Sequence, residues 1–294
     1  MRNIPLLSGL FMLAVLVAVA WLGPVIPSVK EGIIEQRMVF KESGAFERAP
    51  FPPSLQHLFG TDEDGRDLLS LVIMGAKETL MLVLVISIIR YGAAILLALL
   101  SLPEKSPARA LIYSLNGFAA SLPIVFAAIL FITMPVFTFS PHRVYWIVLI
   151  LSLSDVGRVA YVFQQAMKSI SHTQYVEAGV TIGNSPFGLF SRHYFPNLLP
   201  DAVTHFFMDL GKVTLLLGQL GILSIFVTQA FVQLNYGYGE LQNTSLNWPI
   251  LLGMAKSDII SGFWIPFFPA LALTYLILTF NLIGEGLRKH FSRI

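Results

Sequence analysis

Arg90, Asp209 and Lys212 each interrupt a long apolar run, and Gln219 follows Lys212 by two helical turns. An arginine at bilayer mid-depth costs roughly 2.5–3.5 kcal/mol on insertion scales, so such groups face protein or water. Asp209 and Lys212 stand three apart on one helical face and can neutralise each other. Lys212 can instead snorkel toward the headgroups. The sharper expectation is that Arg90, Asp209, Lys212 and Gln219 line a path and touch the charged ends of a cargo.

A second group lies in residues 59–80, FGTDEDGRDLLSLVIMGAKETL. Its acids invite a calcium reading, but Gly65 follows Asp64 directly and the ligand spacing of a calcium loop fails. Thr61, Asp62 and Asp67 are better read as helix N-cap candidates ahead of an apolar helix. The six histidines are scattered, with no pair at metal-ligand spacing. Gly211-Lys212-Val213 lacks the first glycine and the hydroxyl of a phosphate-binding loop. No serine, histidine and acid gather as a hydrolytic set. There is no cysteine, which excludes disulfides, thiolate metal sites and a thiol nucleophile. The expectation is a chain that binds no cofactor or metal and is not an enzyme by itself. No basic run suggests nucleic acid.

Elements that can hold such groups must be membrane helices. Of 294 residues, 55% are hydrophobic and only 12% charged, about half the charged share of a soluble domain. The apolar residues come in blocks of the roughly 20 that a spanning helix needs, without a barrel's alternation. Six blocks are read: Ile4–Ile26, Leu80–Leu102, Ala110–Phe139, Val144–Gln165, Ala202–Val232 and Gly262–Ile283. Ala18-Val19-Ala20 resembles a signal-peptide cleavage site, yet the run is long and five spans follow, so an uncleaved first helix is preferred. The fold class is an all-α, multi-pass membrane protein with about six transmembrane helices. Residues 1–77 form the first helix plus an acidic outer segment (Glu31, Glu35, Glu42, Glu47, Asp62, Glu63, Asp64, Asp67), and 78–294 form the core. Arg2, Lys105, Arg109, Lys168, Arg192 and the tail Arg288, Lys289 and Arg293 fall on the other side. The positive-inside bias then makes both termini cytoplasmic.

Between the fourth and fifth blocks, about 166–201, lies a polar stretch too broken to span. Residues 172–197 read HTQYVEAGVTIGNSPFGLFSRHYFPN. Tyr175 to Ile182 is read as a short helix with an apolar stripe at Val176 and Val180. Gly183, Asn184 and Pro186 stop it. A second short helix starts near Ser185 and runs to Pro196. By itself this is either a plug for a groove on another protein or an amphipathic connector resting on headgroups.

Glu177-Ala178-Gly179, then Gly183, then Phe195-Pro196 resembles the EAA signature of binding-protein-dependent ABC importer permeases. Tyr175-Val176-Glu177-Ala178 with Arg192-His193-Tyr194-Phe195-Pro196-Asn197 is similar to the dipeptide/oligopeptide/nickel branch. Gly60-Thr61-Asp62, Gly65-Arg66-Asp67 and Ser70 resemble the segment before the second span of its C-type subunit. Trp248 and Gly284-x-Gly286-Leu287-Arg288 extend the likeness. Departures are Gly179 for alanine, Phe195 for leucine, Leu71 and Lys77 for arginine, and Gln219 where the fifth span usually carries glutamate. Gly179 is expected to loosen its helix by up to about 1 kcal/mol.

The resemblance implies a type I importer permease fold in a bacterial or archaeal inner membrane. It implies a subunit moving di- or oligopeptides, or related solutes, by alternating access. It further implies a second, different permease chain, two P-loop ATPases that use ATP and Mg, and an extracytoplasmic binding protein. Tyr175, Val176, Glu177, Ala178, Gly179, Gly183, Arg192, His193, Pro196 and Asn197 would then form the ATPase-coupling surface. A stand-alone ion-coupled secondary transporter or channel is the alternative; it would need midplane acids, unwound helices and internal repeats.

Overall fold

The structure, a computed structural model, describes residues 3–40, 46–103, 105–233 and 239–292. Arg2, Glu42, Glu104 and Arg293 lie outside them. The chain is almost entirely helical. Helix α1 (Ile4–Leu22) runs into a 3-10 turn and the short α2 (Pro27–Gly32). Strands β1 (Met38–Phe40) and β2 (Phe46–Arg48) pair antiparallel.

Helix α3 (Leu68–Leu100) starts twelve residues before the apolar block at Leu80 that marked it in the sequence. Asp67 caps it, accepting from Ser70 N at 2.9 Å, so the mostly apolar residues Leu68–Ala76, separated from the block by Lys77 and Glu78, are already helix. Lys77 sets its Nζ 5.8 Å from the centre of the Trp21 ring at the end of α1. At the far end of α3, Arg109 donates to the carbonyls of Ser101 and Leu102 at 2.8 and 3.0 Å, where orphan carbonyls need donors.

The third apolar block is not straight. It divides into α4 (Pro107–Ser121) and α5 (Ile124–Ile132), bent by 101°. The cause is Pro123, which has no N–H and drives Leu122 into an extended conformation. Helix α6 (Pro135–Thr138) is a single turn. The fourth block becomes α7 (Arg143–Leu153) and α8 (Val156–Ser171), interrupted at Ser154 and Asp155.

Then come α9 (Gln174–Thr181), α10 (Pro186–Leu189), a π-helical turn at Phe190–Tyr194, and α11 (Phe195–Ile222). The second short helix expected to stop at Pro196 instead flows into α11. The fifth block was expected to reach Val232, but α11 ends at Ile222. Ser224 takes φ 59°, and Ile225 N reaches Leu220 O at 2.9 Å, closing the helix by a left-handed cap. The apolar run continues as strand β3 (Gln229–Gln233), antiparallel to β4 (Gly239–Asn243). Helices α12 (Trp248–Met254) and α13 (Trp264–Phe291) complete the chain.

Among the described residues, four stretches are long and apolar enough to cross a bilayer, Ile4–Val25, Leu68–Leu100, Arg143–Ser171 and Trp264–Phe291, and the bent α4–α5 pair makes a fifth if it is one span. Helix α11 has the length, but Asp209, Lys212 and Gln219 dilute its apolarity. It packs mostly on α13, antiparallel, with Gly284 meeting Met208 and Gly211 meeting Asn281. Helix α1 also runs antiparallel to α13, with Gly286 against Leu6 and Asn3 Nδ2 donating to Gly286 O at 2.6 Å. These pairings bring the start of α1, the end of α13, the end of α8 and the start of α11 to one end of the bundle. The described residues between 28 and 67 and the paired strands β3 and β4 occupy the other. The main core lies among α1, α3, α11 and α13, and a second core joins α3, α8 and α9 at the termini end.

Candidate functional site

Helix α9 is anchored by one side chain. Val176 is 2% exposed and packs in the second core with Tyr91, Phe163, Tyr194 and Leu198. Its expected companion Val180 instead faces outward, 58% exposed, beside Ile182 at 82%. Glu177 and Ala178 are exposed too. The helix closes with a Schellman cap: Gly183 sits at φ 84°, Gly183 N donates to Val180 O, and Asn184 N donates to Gly179 O.

At Gly179 a Cβ would stand 3.1–3.3 Å from Leu189, Asn184 and His193, so its absence lets the π-helical turn lie close against α9. That turn carries Arg192, exposed, and His193, whose ring is 5.8 Å from that of Tyr175. Tyr194 is buried, and burial pushes its hydroxyl pKa up. Pro196 and Asn197 are exposed, and Asn197 Nδ2 donates to His193 O at 2.7 Å. The ten residues expected here therefore lie in one body with a buried seam at Val176 and Gly179, and its exposed apolar tip is made by two others, Val180 and Ile182.

The charged group resolves differently from expectation. Asp209 does not pair with Lys212. Its two oxygens accept from Arg90 at 3.0 and 3.1 Å, and Arg90 also donates to Leu151 O at 2.7 Å and Ser152 O at 3.3 Å. Arg90 and Asp209 are 1% and 3% exposed, so neither faces an open passage in this state. Lys212 and Gln219 lie with His205 and Leu215 on the exposed face of α11. Lys212 borders a groove of about 460 Å³ with Leu215, Ile277, Asn281 and Glu285.

The segment before α3 is a knot of local bonds. Asp62 accepts from Arg66 N at 2.9 Å and Arg66 Nε at 2.7 Å, and Thr61 Oγ1 accepts from Phe51 N at 2.7 Å. Of the three N-cap candidates, Asp67 caps the helix, while Asp62 and Thr61 brace the loop. Gly60 and Gly65 hold φ of 73° and 78°. A side chain at Gly65 would strike the Gln36 carbonyl, and one at Gly60 the Trp264 indole. Trp264 Nε1 donates to Thr61 O at 3.2 Å, which fastens the segment to the start of α13.

Two features escaped sequence reading. Arg143 is 4% exposed, donates to Phe226 O and Gln229 Oε1, and leaves Nε and Nη1 without partners among the described residues. Its one signal was a lone basic residue at the lip of the fourth block. Trp248 and α12 fold back into the bundle: Trp248 Nε1 donates to Val72 O at 2.7 Å and Trp248 N to Thr79 Oγ1 at 3.0 Å.

A family profile described as "Binding-protein-dependent transport system inner membrane component" matches residues 90–293. A Brucella abortus protein named as a peptide transport system permease is 27% identical over 290 residues, 98% of this chain and 87% of that one. An Escherichia coli K12 protein named for a D,D-dipeptide transport system is 27% identical over 237 residues, covering 81% and 73%. A Pectobacterium atrosepticum glutathione transport system permease is 23% identical over 287 residues, covering 98% and 86%.

Proposed function

From the premise that this chain belongs to the binding-protein-dependent transport system inner membrane components, we propose that it imports peptides or related small solutes through an assembly driven by separate ATPases. It is a multi-pass inner-membrane permease and carries no ATPase activity of its own. Dependence on a binding protein sets aside the stand-alone, ion-coupled alternative.

The peptide reading leans on the relatives, whose names refer to peptides, a D,D-dipeptide and glutathione. One observation carries the proposed coupling: α9 is anchored through Val176 and presents Glu177, Val180 and Ile182 at the end of the bundle where α1 begins and α13 ends. Lys105, Arg109, Lys168, Arg192, Arg288 and Lys289 cluster in the segments at that end, which supports a cytoplasmic setting. An apolar tip on a rigid base fits a cleft on a partner protein better than it fits headgroups.

In the mechanism proposed, a binding protein delivers cargo to the opposite end, where the Gly60–Asp67 segment and the β3–β4 hairpin lie. ATP binding, with its Mg, closes two ATPase subunits against the Tyr175–Gly183 helix and the adjoining Arg192–Asn197 segment. That biases two packed arrangements of the spans between inward- and outward-facing states. A second, different permease chain completes the passage, with Lys212 and Gln219 on the exposed α11 face toward the cargo. Arg90 and Asp209 are the other path candidates; their burial assigns them to the frame in the state seen.

The test is purification of the tagged chain from native membranes with the copurifying proteins identified. ATPases and a second permease recovered with it, and lost when Glu177 and Gly183 are both replaced, are expected. Recovery of the chain alone, importing solute without ATP, would refute the proposal.

A further inference from the structure

Where a span breaks inside a membrane, the carbonyls at the break must find donors within the protein. The span Arg143–Ser171 breaks at Ser154 and Asp155. Arg90, from α3, bonds the carbonyls of Leu151 and Ser152 beside that break and grips Asp209 of α11 with the same guanidinium. Ser154 Oγ also donates to Leu151 O, at 2.9 Å, so of these two carbonyls Ser152 O relies more on the arginine. The neighbouring Tyr91 sets its ring edge-on to Phe163 of α8 and Phe206 of α11, with centroids 5.8 and 5.2 Å away. Helix α8 leads into the loop built on α9, and α11 leads out of it. Both arms of that loop are thus fastened to α3 at one level.

We propose that Arg90 is a positioning residue for energy coupling: it splints the α7–α8 break and ties it to Asp209, so that α8 and α11 move as one body when the loop is displaced. The inference rests on the reading of Tyr175–Gly183 as the ATPase-docking surface. Without the splint, a push on α9 would flex the chain at Ser154–Asp155 and be dissipated there. The fork geometry of the guanidinium matters as well as its charge. One planar group reaches a carboxylate and two carbonyls at once, whereas a lysine ammonium is a compact point charge that keeps the ion pair and loses that span.

The test uses the complete transporter, reconstituted in lipid with its ATPases and binding protein, carrying Arg90→Lys, Arg90→Gln, Asp209→Asn, Asp209→Glu or the double change Arg90→Gln/Asp209→Asn. ATP hydrolysis, solute imported per ATP, and ATPase retention on purification are measured for each. Arg90→Lys should keep its ATPases and hydrolyse ATP while importing roughly fivefold less solute per ATP, or lower still. Asp209→Asn should lose less, because the carbonyl bonds remain, and Asp209→Glu should import as the unaltered chain does. Unchanged import per ATP in Arg90→Lys would overturn the proposal. So would normal coupling in the double variant, which would make Arg90 only a counter-charge for Asp209. Should Arg90→Gln fail to assemble, Arg90→Lys decides alone. If that also fails to assemble, the role is structural and the proposal falls. Failure of the underlying reading looks different: a complex with native Arg90 and Asp209 would then keep its ATPases after Glu177 and Gly183 are replaced.

Discussion

Asp67 shows how one side chain can do several local tasks. It caps the 33-residue α3, accepts from Ser70 Oγ at 2.7 Å, and lies 3.2 Å from His57 Nδ1. Losing an N-cap costs about 1 kcal/mol. Asp67→Ala should therefore lower the thermal midpoint of the purified protein by a few degrees, whereas Asp67→Asn should recover most of it. Asp258, outside the spans, gives a pH signature. Burial chiefly raises its pKa and the carboxylates of Glu63 and Asp64 add to this, while the Ser257 hydroxyl opposes it. A raised pKa means that the folded state binds the proton more tightly than the unfolded chain. Stability from this site is fullest below the ordinary carboxylate range and is lost as pH rises through it to the raised value. Asp258→Asn should thus raise the thermal midpoint at about pH 7 and lose that advantage toward about pH 4. A constant offset at every pH would contradict the assignment. Both acids were visible in the sequence, but only the N-cap role of Asp67 was legible there, because capping is read within four residues. The pressure on Asp258 comes first from burial in the packed bundle and then from carboxylates almost two hundred positions away.

At the scale of elements, helix ends were easier to read than helix shapes. The stop at Gly183 was legible because glycine in the left-handed region ends a helix wherever the rest of the chain lies. The stop of α11 at Ser224 was not, because a serine gives little notice of φ 59° and the apolar run continues as strand. Pro123 breaks the third block, but the angle of 101° at which α5 leaves α4 is seen only in the structure. The α9 unit is the element with the sharpest expectation attached. Its two most exposed apolar side chains, Val180 and Ile182, contribute nothing to its own core. Replacing both with aspartate should leave the spans and the thermal midpoint intact. It should weaken ATPase binding about tenfold or more, the loss of roughly 1.4 kcal/mol at an interface anchor. Titrating purified ATPase onto the permease in detergent measures this; an unchanged affinity would place the docking surface elsewhere.

For the whole molecule, the pairings of α1 and α11 with α13 decide which loops share an end. The absence of cysteine makes the arrangement directly measurable. Single cysteines at Leu55, which is 99% exposed at one end, and Ile182, 82% exposed at the other, should label from opposite sides of the membrane. In intact cells stripped of outer barriers, an impermeant thiol reagent should reach the first and miss the second. Labelling of both, or of Ile182 alone, would invert or refute the cytoplasmic placement of α9. The buried charges belong to this scale as well: Arg90 and Asp209 lie 119 positions apart and meet only because α3 and α11 pack side by side.

Composition and near-neighbour pattern suffice to put the chain in a membrane and to place a glycine-stopped helix between the fourth and fifth apolar blocks. These properties are set by composition and by neighbours within a few residues, so no knowledge of packing was needed. Only the packing of the helices decides that Asp209 answers Arg90 instead of Lys212, that Val180 faces outward while Val176 anchors, and that Gly179 is a point of close approach. Each of these depends on which helices lie together. A helical face three residues from Asp209 offers Lys212 as a partner. In a packed bundle, the buried carboxylate instead takes the guanidinium that is desolvated beside it and can bond the open carbonyls at the same time.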